Sequence, residues 1–159
     1  TRRISDLLEV KKALELYYLD HGSYPINRSG SQAIWRWNSD ITYYNWETEV
    51  QENLVDNGYL GGVPLDPLGS GYNKDVFECG NEKGCSYSYI RNMSIGSRCN
   101  DVYGVRSGCT CGVEDTPISE LEYALMFSME NRYPNSPYWV PRQENYPSEN
   151  YYCIPGPKK

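Results

Sequence analysis

The side chains best suited to covalent or metal chemistry in this sequence are its six cysteines. All of them follow residue 78 and lie in stretches rich in glycine, serine and asparagine: Cys79, Cys85, Cys99, Cys109, Cys111 and Cys153. An even number of cysteines in such a region is typical of disulfide bonds formed in an oxidising compartment. Six cysteines allow fifteen pairings, and the sequence does not choose among them.

Local spacing narrows the pairing only in part. Cys79 and Cys85 flank a turn that contains glycine, and they are the first expectation for a local disulfide. Cys109 and Cys111 are separated by one residue, so each is expected to bond to a different partner. Zinc is the competing interpretation, because four thiolates can hold this ion. We favour disulfides, because the usual two-residue spacing of zinc ligands is absent and the only histidine, His21, is far from the cysteines.

No recognisable catalytic constellation accompanies these cysteines. A serine or cysteine nucleophile requires a base placed to activate it, and His21 is the only histidine in the chain. It stands where a helix is expected to end, so an interaction with the last carbonyl groups of that helix is the simpler expectation. The glycine-rich stretches at 60–64 and 67–72 lack the Lys-Ser/Thr ending of a phosphate-binding loop. The sequence therefore predicts a protein that is not an enzyme.

Composition restricts the class of protein further. A chain of 159 residues fits a single domain, and a net charge of −6 argues against a nucleic-acid partner. No apolar run approaches the ~20 residues that a membrane-spanning helix requires. The 16 tyrosines and 4 tryptophans greatly outnumber the 2 phenylalanines. Tyrosine and tryptophan combine a large ring with a polar group, so they suit half-exposed packing and interfaces.

An amphipathic helix is predicted over residues 1–21. Apolar side chains recur at steps of three and four residues and define a stripe that is expected to form the core between helix and sheet: Ile4, Leu7, Val10, Leu14 and Tyr17, widened by Leu8, Ala13 and Leu16. Gly22 stands at the expected C-cap, and Pro25 prevents the helix from continuing. This helix is the element against which the rest of the chain is expected to fold.

The polar positions of the same helix suggest contacts beyond it. Asp6, Lys11 and Glu15 lie off the apolar stripe and are predicted to face solvent or neighbouring subunits. Arg2 and Arg3 place positive charge at the positive end of the helix dipole, which is the unfavourable arrangement. Since no initiator methionine precedes them, we expect this helix to be the end of a longer one.

Residues 22–85 are predicted to connect this helix to a sheet. Within them a short helix is expected at 46–57, because Trp46, Val50 and Leu54 repeat every four residues and Gly58 follows. The alternation of two tryptophans in IWRWN at 34–38 fits either a short edge strand or a loop.

Residues 86–154 are predicted to form an antiparallel sheet with its loops. The apolar period changes to two in CSYSYI at 85–90 and in LEYALMFSMENRY at 121–133, where one face is apolar and the other mostly polar. A helix at 121–133 is the alternative, but a sheet of one or two strands would leave the first helix uncovered. NYYCI is the last strand candidate, and residues 155–159 are expected to be a loose tail. The predicted fold is α+β, a single domain over residues 1–159 with a long N-terminal helix on a small sheet and a disulfide-stapled C-terminal half.

Two segments of the chain resemble type IV pilins and type II secretion pseudopilins. Residues 3–25 carry Arg-x-x-x-Leu-x-x-Val-Lys-x-Ala-Leu-x-x-Tyr-Tyr-x-Asp-x-Gly-x-Tyr-Pro, which is similar to the segment after the membrane-spanning half of their first helix. Residues 53–72 are similar to the Leu-x-x-x-Gly-Tyr-Leu-x-x-x-Pro-x-Asp-Pro stretch of that family. That stretch leads into a Tyr-x-Tyr strand, here Tyr87-Ser88-Tyr89.

The resemblance implies a structural subunit of a type IV pilus-like extracellular filament, as a major or a minor pilin. The first helix would continue upstream into an apolar segment with a methylated N-terminus, which anchors the subunit in the membrane before assembly. The partners would be copies of the chain or related pilins, in a filament at the cell surface. A secretion pseudopilus is also compatible, but the cysteine-rich half favours a pilus.

Two alternatives accompany this interpretation. Pseudopilins hold calcium in a loop of the sheet region, and oxygen ligands are available near Asp101 or Glu114-Asp115. Their spacing does not match that loop, so no cofactor is expected. The alternative function is a secreted module that binds a glycan or a protein through surface tryptophan and tyrosine side chains.

Overall fold

The first element of the chain is a long helix. The computed structural model describes residues 2–26, 33–34, 46–65, 87–91, 110–129, 133–139 and 151–159, and its helix α1 runs from Arg2 to His21. The amide of Gly22 donates to the Tyr18 carbonyl at 2.8 Å, and Gly22 adopts a φ of 72°. This left-handed conformation costs glycine little, so α1 ends at this residue.

A short second helix lies beside α1. Helix α2 spans Trp46–Val50 and continues as a π-helical segment, Gln51–Val55, in which the Asp56 amide donates to the Gln51 carbonyl. The helix predicted at 46–57 thus changes its winding half-way. Gly58, with a φ of 78°, then reverses the chain into the connection that follows. Between residues 46 and 65, Trp46, Val50 and Leu54 are buried.

Four strands form the main sheet, which is antiparallel throughout. Its order is β1-β2-β5-β6, with β1 at Ala33–Ile34, β2 at Ser88–Ile90, β5 at Ala124–Ser128 and β6 at Tyr151–Pro155. A separate hairpin pairs β3, Thr110–Cys111, with β4, Thr116–Pro117, and a 3₁₀ turn at Ile118–Glu120 follows it. The predicted α+β fold is confirmed, and residues 124–128 form a strand and not a helix.

Strand β5 is buried on both of its faces, which differs from the one polar face expected at 121–133. Leu125 and Phe127 belong to the core cluster that includes α1, while Ala124 and Met126 point the other way and are also buried. Met126 pairs with Cys153 across the sheet, and Cys153 forms a disulfide with Cys111. The disulfide therefore ties the β3–β4 hairpin to the sheet face that does not contact α1.

The C-terminal residues are part of this sheet and not a loose tail. Gly156 donates its amide to the Tyr123 carbonyl, and Lys159 donates its amide to the Glu120 carbonyl, both at 2.9 Å. A Cβ atom on Gly156 would lie only 2.7 Å from the Tyr123 carbonyl oxygen, so the close approach requires glycine. The prediction of a loose tail at 155–159 was wrong, because backbone hydrogen bonds extend the β5–β6 pairing to the last residue.

Most of the cysteine predictions concern residues outside the described ranges. Cys79, Cys85, Cys99 and Cys109 all lie there, as do Trp35 and Trp37. The Cys111–Cys153 bond agrees with the expectation that Cys111 does not pair with Cys109.

Candidate functional site

The first candidates for functional chemistry are the metal-ligating and nucleophilic side chains of the described part of the chain. Its histidine, cysteine, aspartate and glutamate side chains form no group of three or more that could hold a metal ion. Cys111 and Cys153 are bonded to each other. The His21 Nδ1 atom lies 3.0 Å from the Tyr17 carbonyl oxygen, and its ring stacks on the Tyr17 ring at 3.9 Å. His21 therefore interacts with the C-terminal turn of α1, as expected from its position.

The sides of helix α1 lie in different environments: an inner face in the core, two flanks with polar contacts and an exposed outer face. Its inner face is formed by Leu7, Val10, Ala13 and Leu14, all of which are buried in the core cluster. Ile4 and Tyr17, assigned to the same stripe from the sequence, are partly buried and pack against the edge of this cluster. The inner face thus holds α1 on the sheet by apolar burial.

One flank of α1 is fastened to the sheet by two polar side chains. Lys11 donates from Nζ to the Pro155 carbonyl oxygen at 2.7 Å, at the end of β6. Glu15 accepts two hydrogen bonds, from the Tyr123 hydroxyl at 2.8 Å and from the Tyr24 hydroxyl at 2.9 Å. These hydrogen bonds add to the apolar packing that orients α1 on the sheet.

The other flank of α1 uses two aspartates in the same way. Asp6 accepts a hydrogen bond from the Tyr87 hydroxyl at 2.9 Å, and Arg2 Nε lies 3.8 Å from the same carboxylate. Asp20 accepts a hydrogen bond from the Tyr59 hydroxyl at 2.6 Å. This bond, with some desolvation, raises the pKa of Tyr59 to about 12. We call Asp6, Lys11, Glu15 and Asp20 the anchor side chains.

The anchor side chains correct one expectation from the sequence. Asp6, Lys11 and Glu15 were predicted to be available to solvent or neighbouring subunits, but each has a partner within its own chain. Sequence reasoning missed this role because the partners lie on distant segments. The excess of tyrosine over phenylalanine was the available signal, since a buried tyrosine hydroxyl needs an acceptor.

The tyrosines that bind Glu15 are strongly perturbed. Burial raises the pKa of Tyr123 well above its usual value, and the hydrogen bond to Glu15 raises it further. The same two causes, in the same order, raise the pKa of Tyr24. Both phenols therefore remain protonated and donate their hydroxyl hydrogens to the Glu15 carboxylate.

The outer face of α1 carries apolar side chains that the described part of the chain does not cover. Leu16 and Leu19 are 48% and 76% exposed, and Lys12 is exposed on the same side, because positions three and four apart share a face. Leu16 was predicted to widen the buried stripe, but the sheet and the second helix cover only the opposite side. We call Lys12, Leu16 and Leu19 the outer face. No helix in the described part of the chain is long and apolar enough to cross a membrane.

Comparison with known proteins assigns α1 and the residues that follow it to a family. The model of the family described as type II secretion system (T2SS), protein G, matches residues 3–86, more than half of the 159-residue chain. The chain belongs to this family. The matched residues begin in α1 and end one residue before Tyr87, so they include the outer face, all four anchor side chains and the second helix.

Two relatives agree with this family assignment. The chain is 33% identical over 69 residues to type II secretion system core protein G of Klebsiella pneumoniae, covering 43% of this chain and 44% of that protein. It is 30% identical over 71 residues to the protein of the same name from Pectobacterium carotovorum subsp. carotovorum, covering 45% and 41%. The chain thus spans less than half the length of these relatives. No solved structure matches the chain significantly.

The protein G family match and the disulfide occupy different halves of the chain. The family model ends at residue 86, whereas Cys111 and Cys153 come later in the sequence. What this protein shares with the family is therefore the helical half that presents the outer face. Its disulfide-bonded hairpin lies beyond the matched residues.

Proposed function

We propose that this protein is a structural subunit of the type II secretion filament and that it assembles through α1. The carrying observation is the outer face of α1, where Leu16 and Leu19 remain 48% and 76% exposed. The inner face and both flanks of the same helix are occupied by contacts within the chain. Exposed apolar side chains on a helix whose other sides already contact the chain are suited to association with another protein surface.

A secretion filament is favoured over a surface pilus. The family model and the names of the two relatives refer to type II secretion, and they match the half of the chain that contains α1. From the sequence, the cysteine-rich half favours an extracellular pilus, but a disulfide fits any oxidising compartment, the bacterial periplasm included. The Cys111–Cys153 bond therefore does not favour the pilus.

Several parts of this proposal concern the full-length protein. We propose that α1 continues upstream into an apolar segment of ~20 residues that anchors the subunit in the membrane before assembly. The partners are copies of this chain or related subunits in the same filament. We propose that the role is structural: Asp6, Lys11 and Glu15 hold α1 against the chain's own tyrosines and backbone.

The test is genetic complementation in the source organism. Deletion of the gene is expected to retain type II substrates inside the cell, and the full-length wild-type gene is expected to restore their release. The codons upstream of Thr1 are expected to encode the apolar segment. Normal secretion by the deletion strain, together with an ordinary cleaved signal sequence before Thr1, would contradict the proposal and favour the secreted binding module.

A further inference from the structure

An open groove runs along the outer side of the second helix. Its volume is about 460 Å³. It is lined by three carboxylates, two neutral polar side chains and two apolar side chains: Glu47, Glu52, Asp56, Thr48, Gln51, Val63 and Leu65. We call this feature the acidic groove. It combines a negatively charged wall with an apolar wall, of which Leu65 is 40% exposed.

Both walls of the acidic groove are held in place by the core. On the side of the helix away from the groove, Trp46, Val50 and Leu54 are buried. The Trp46 indole donates from Nε1 to the Pro64 carbonyl oxygen at 2.9 Å, which fixes the backbone between Val63 and Leu65. The groove is therefore a built feature of the fold and does not depend on the positions of long surface side chains alone.

The outer face of α1 has the complementary chemistry. Lys12 supplies a cation next to Leu16 and Leu19, with Glu9 exposed one turn earlier on the same side, whereas the acidic groove supplies three carboxylates next to Val63 and Leu65. Pairing opposite charges and covering exposed leucines are both favourable when two surfaces meet. Within one chain the two surfaces do not meet, because Leu19 remains 76% exposed while the acidic groove is open.

We propose that the acidic groove of one subunit receives the outer face of α1 from a second copy of this chain. Lys12 then lies against the groove carboxylates, and Leu16 and Leu19 lie against Val63 and Leu65. The two surfaces are different patches of one molecule, so each subunit offers one patch to the subunit before it and the other to the subunit after it. Such a heterologous contact propagates into a filament. This inference rests on the proposed function.

Site-specific photo-cross-linking tests the contact directly. A photoreactive amino acid replaces Leu19 in the full-length protein, which is then assembled in its own cells, irradiated and digested for mass spectrometry. The exposure of Leu19 makes the replacement compatible with folding. We expect cross-linked peptides between position 19 and residues 46–65 of another copy. Cross-links to any other segment of another copy, or assembled filament without intermolecular cross-links at position 19, would overturn the inference.

Charge reversal tests the electrostatic part of the same contact. Lys12→Glu and Asp56→Lys are each expected to reduce the sedimentable filament about tenfold, because like charges then face each other. The double variant is expected to recover to within about twofold of wild type. Glu114→Lys makes the same charge change as Asp56→Lys but on the exposed β3–β4 turn. It is the control and should leave the amount of filament unchanged.

The outcomes separate this inference from the proposed function. If Lys12→Glu blocks assembly but Asp56→Lys does not, and the double variant stays defective, the outer face contacts something other than the acidic groove and the inference is overturned. The proposed function survives that result. If the wild-type full-length protein forms no filament at all, the proposed function fails and the inference fails with it.

Discussion

The two leucine-bearing faces of α1 differ in their environment although they belong to one helix. On the inner face Leu7 and Leu14 are buried in the core, whereas on the outer face Leu16 and Leu19 remain largely exposed. A leucine on the inner face stabilises the fold, and a leucine on the outer face is available for association. Position on the helix, and not residue type, therefore decides which leucines are buried in the core and which are exposed for the assembly that we propose.

The flanks of α1 extend this comparison to its charged residues. The anchor side chains bind tyrosine hydroxyls or a backbone carbonyl of the same chain, while Lys12 on the outer face is exposed. The anchor side chains therefore fix the orientation of α1, whereas Lys12 is exposed and, in our proposal, contacts another subunit.

The largest effect is expected for Leu14→Asp. This change places a charge in the core between α1 and the sheet, and it should cost at least about 4 kcal/mol in the free energy of unfolding. Leu19→Asp is the matched control and should cost less than about 1 kcal/mol, including its unfavourable position near the negative end of the helix dipole. Urea unfolding of both variants measures the difference. Equal losses would show that the inner and outer faces are wrongly assigned.

The next largest effect is expected for removal of the disulfide. Replacing Cys111 and Cys153 together by serine removes a bond between residues 42 apart in sequence, which should cost about 2–4 kcal/mol. Because the bond lies on the sheet face away from α1, hydrogen exchange should increase most in residues 110–117 and least in α1. Uniform loss of protection across both regions would contradict this picture of the sheet.

A smaller effect is expected for Glu15→Gln. The neutral amide accepts only through its oxygen, so one of the two hydroxyls, Tyr24 or Tyr123, loses its acceptor in a part-buried site. The expected cost is about 1–3 kcal/mol. Glu9→Gln on the exposed side of α1 is the control and should change stability by less than about 0.5 kcal/mol. If thermal unfolding of both variants gives the same midpoint, Glu15 does not anchor the helix.

Alkaline pH should destabilise the protein through the same tyrosines. The pKa values of Tyr24, Tyr89 and Tyr123 are raised in the folded state, chiefly by burial. Above pH ~10 the unfolded chain ionises these phenols while the folded chain keeps them protonated, so stability falls as pH rises. Each phenol that ionises only in the unfolded chain lowers the free energy of unfolding by about 1.4 kcal/mol per pH unit. A pH titration followed by tyrosinate absorbance and circular dichroism measures this effect. We expect the absorbance of these three tyrosines to rise only as the protein unfolds, and their ionisation in a still-folded protein would contradict the prediction.

Local patterns predicted α1 better than its surroundings. The three- and four-residue apolar period gives its limits and most of its inner face, since this signal is contained within the helix. The width of the buried stripe was overestimated at Leu16, because it depends on where the sheet ends. The roles of Lys11 and Glu15 depend on Pro155 and Tyr123, which are 144 and 108 residues away in the chain. No local pattern reports such partners.

The sheet region was harder to predict for the same reason. The alternation at 121–133 predicted the strand but not the burial of Ala124 and Met126. These two side chains lie on the sheet face to which the Cys111–Cys153 disulfide ties the β3–β4 hairpin. Residues 155–159 carry no strand pattern and are ordered by backbone hydrogen bonds to residues 120–123. In both places long-range pairing, and not local propensity, determines the structure.

The most direct test of the account is the assembly of full-length protein carrying Leu19→Asp. Sedimentable filament is measured in cells, and the thermal midpoint of the purified protein is measured in parallel. We predict that the thermal midpoint stays close to that of wild type while the filament is lost, because the outer face serves association only. Filament at the wild-type level in this variant would contradict the account.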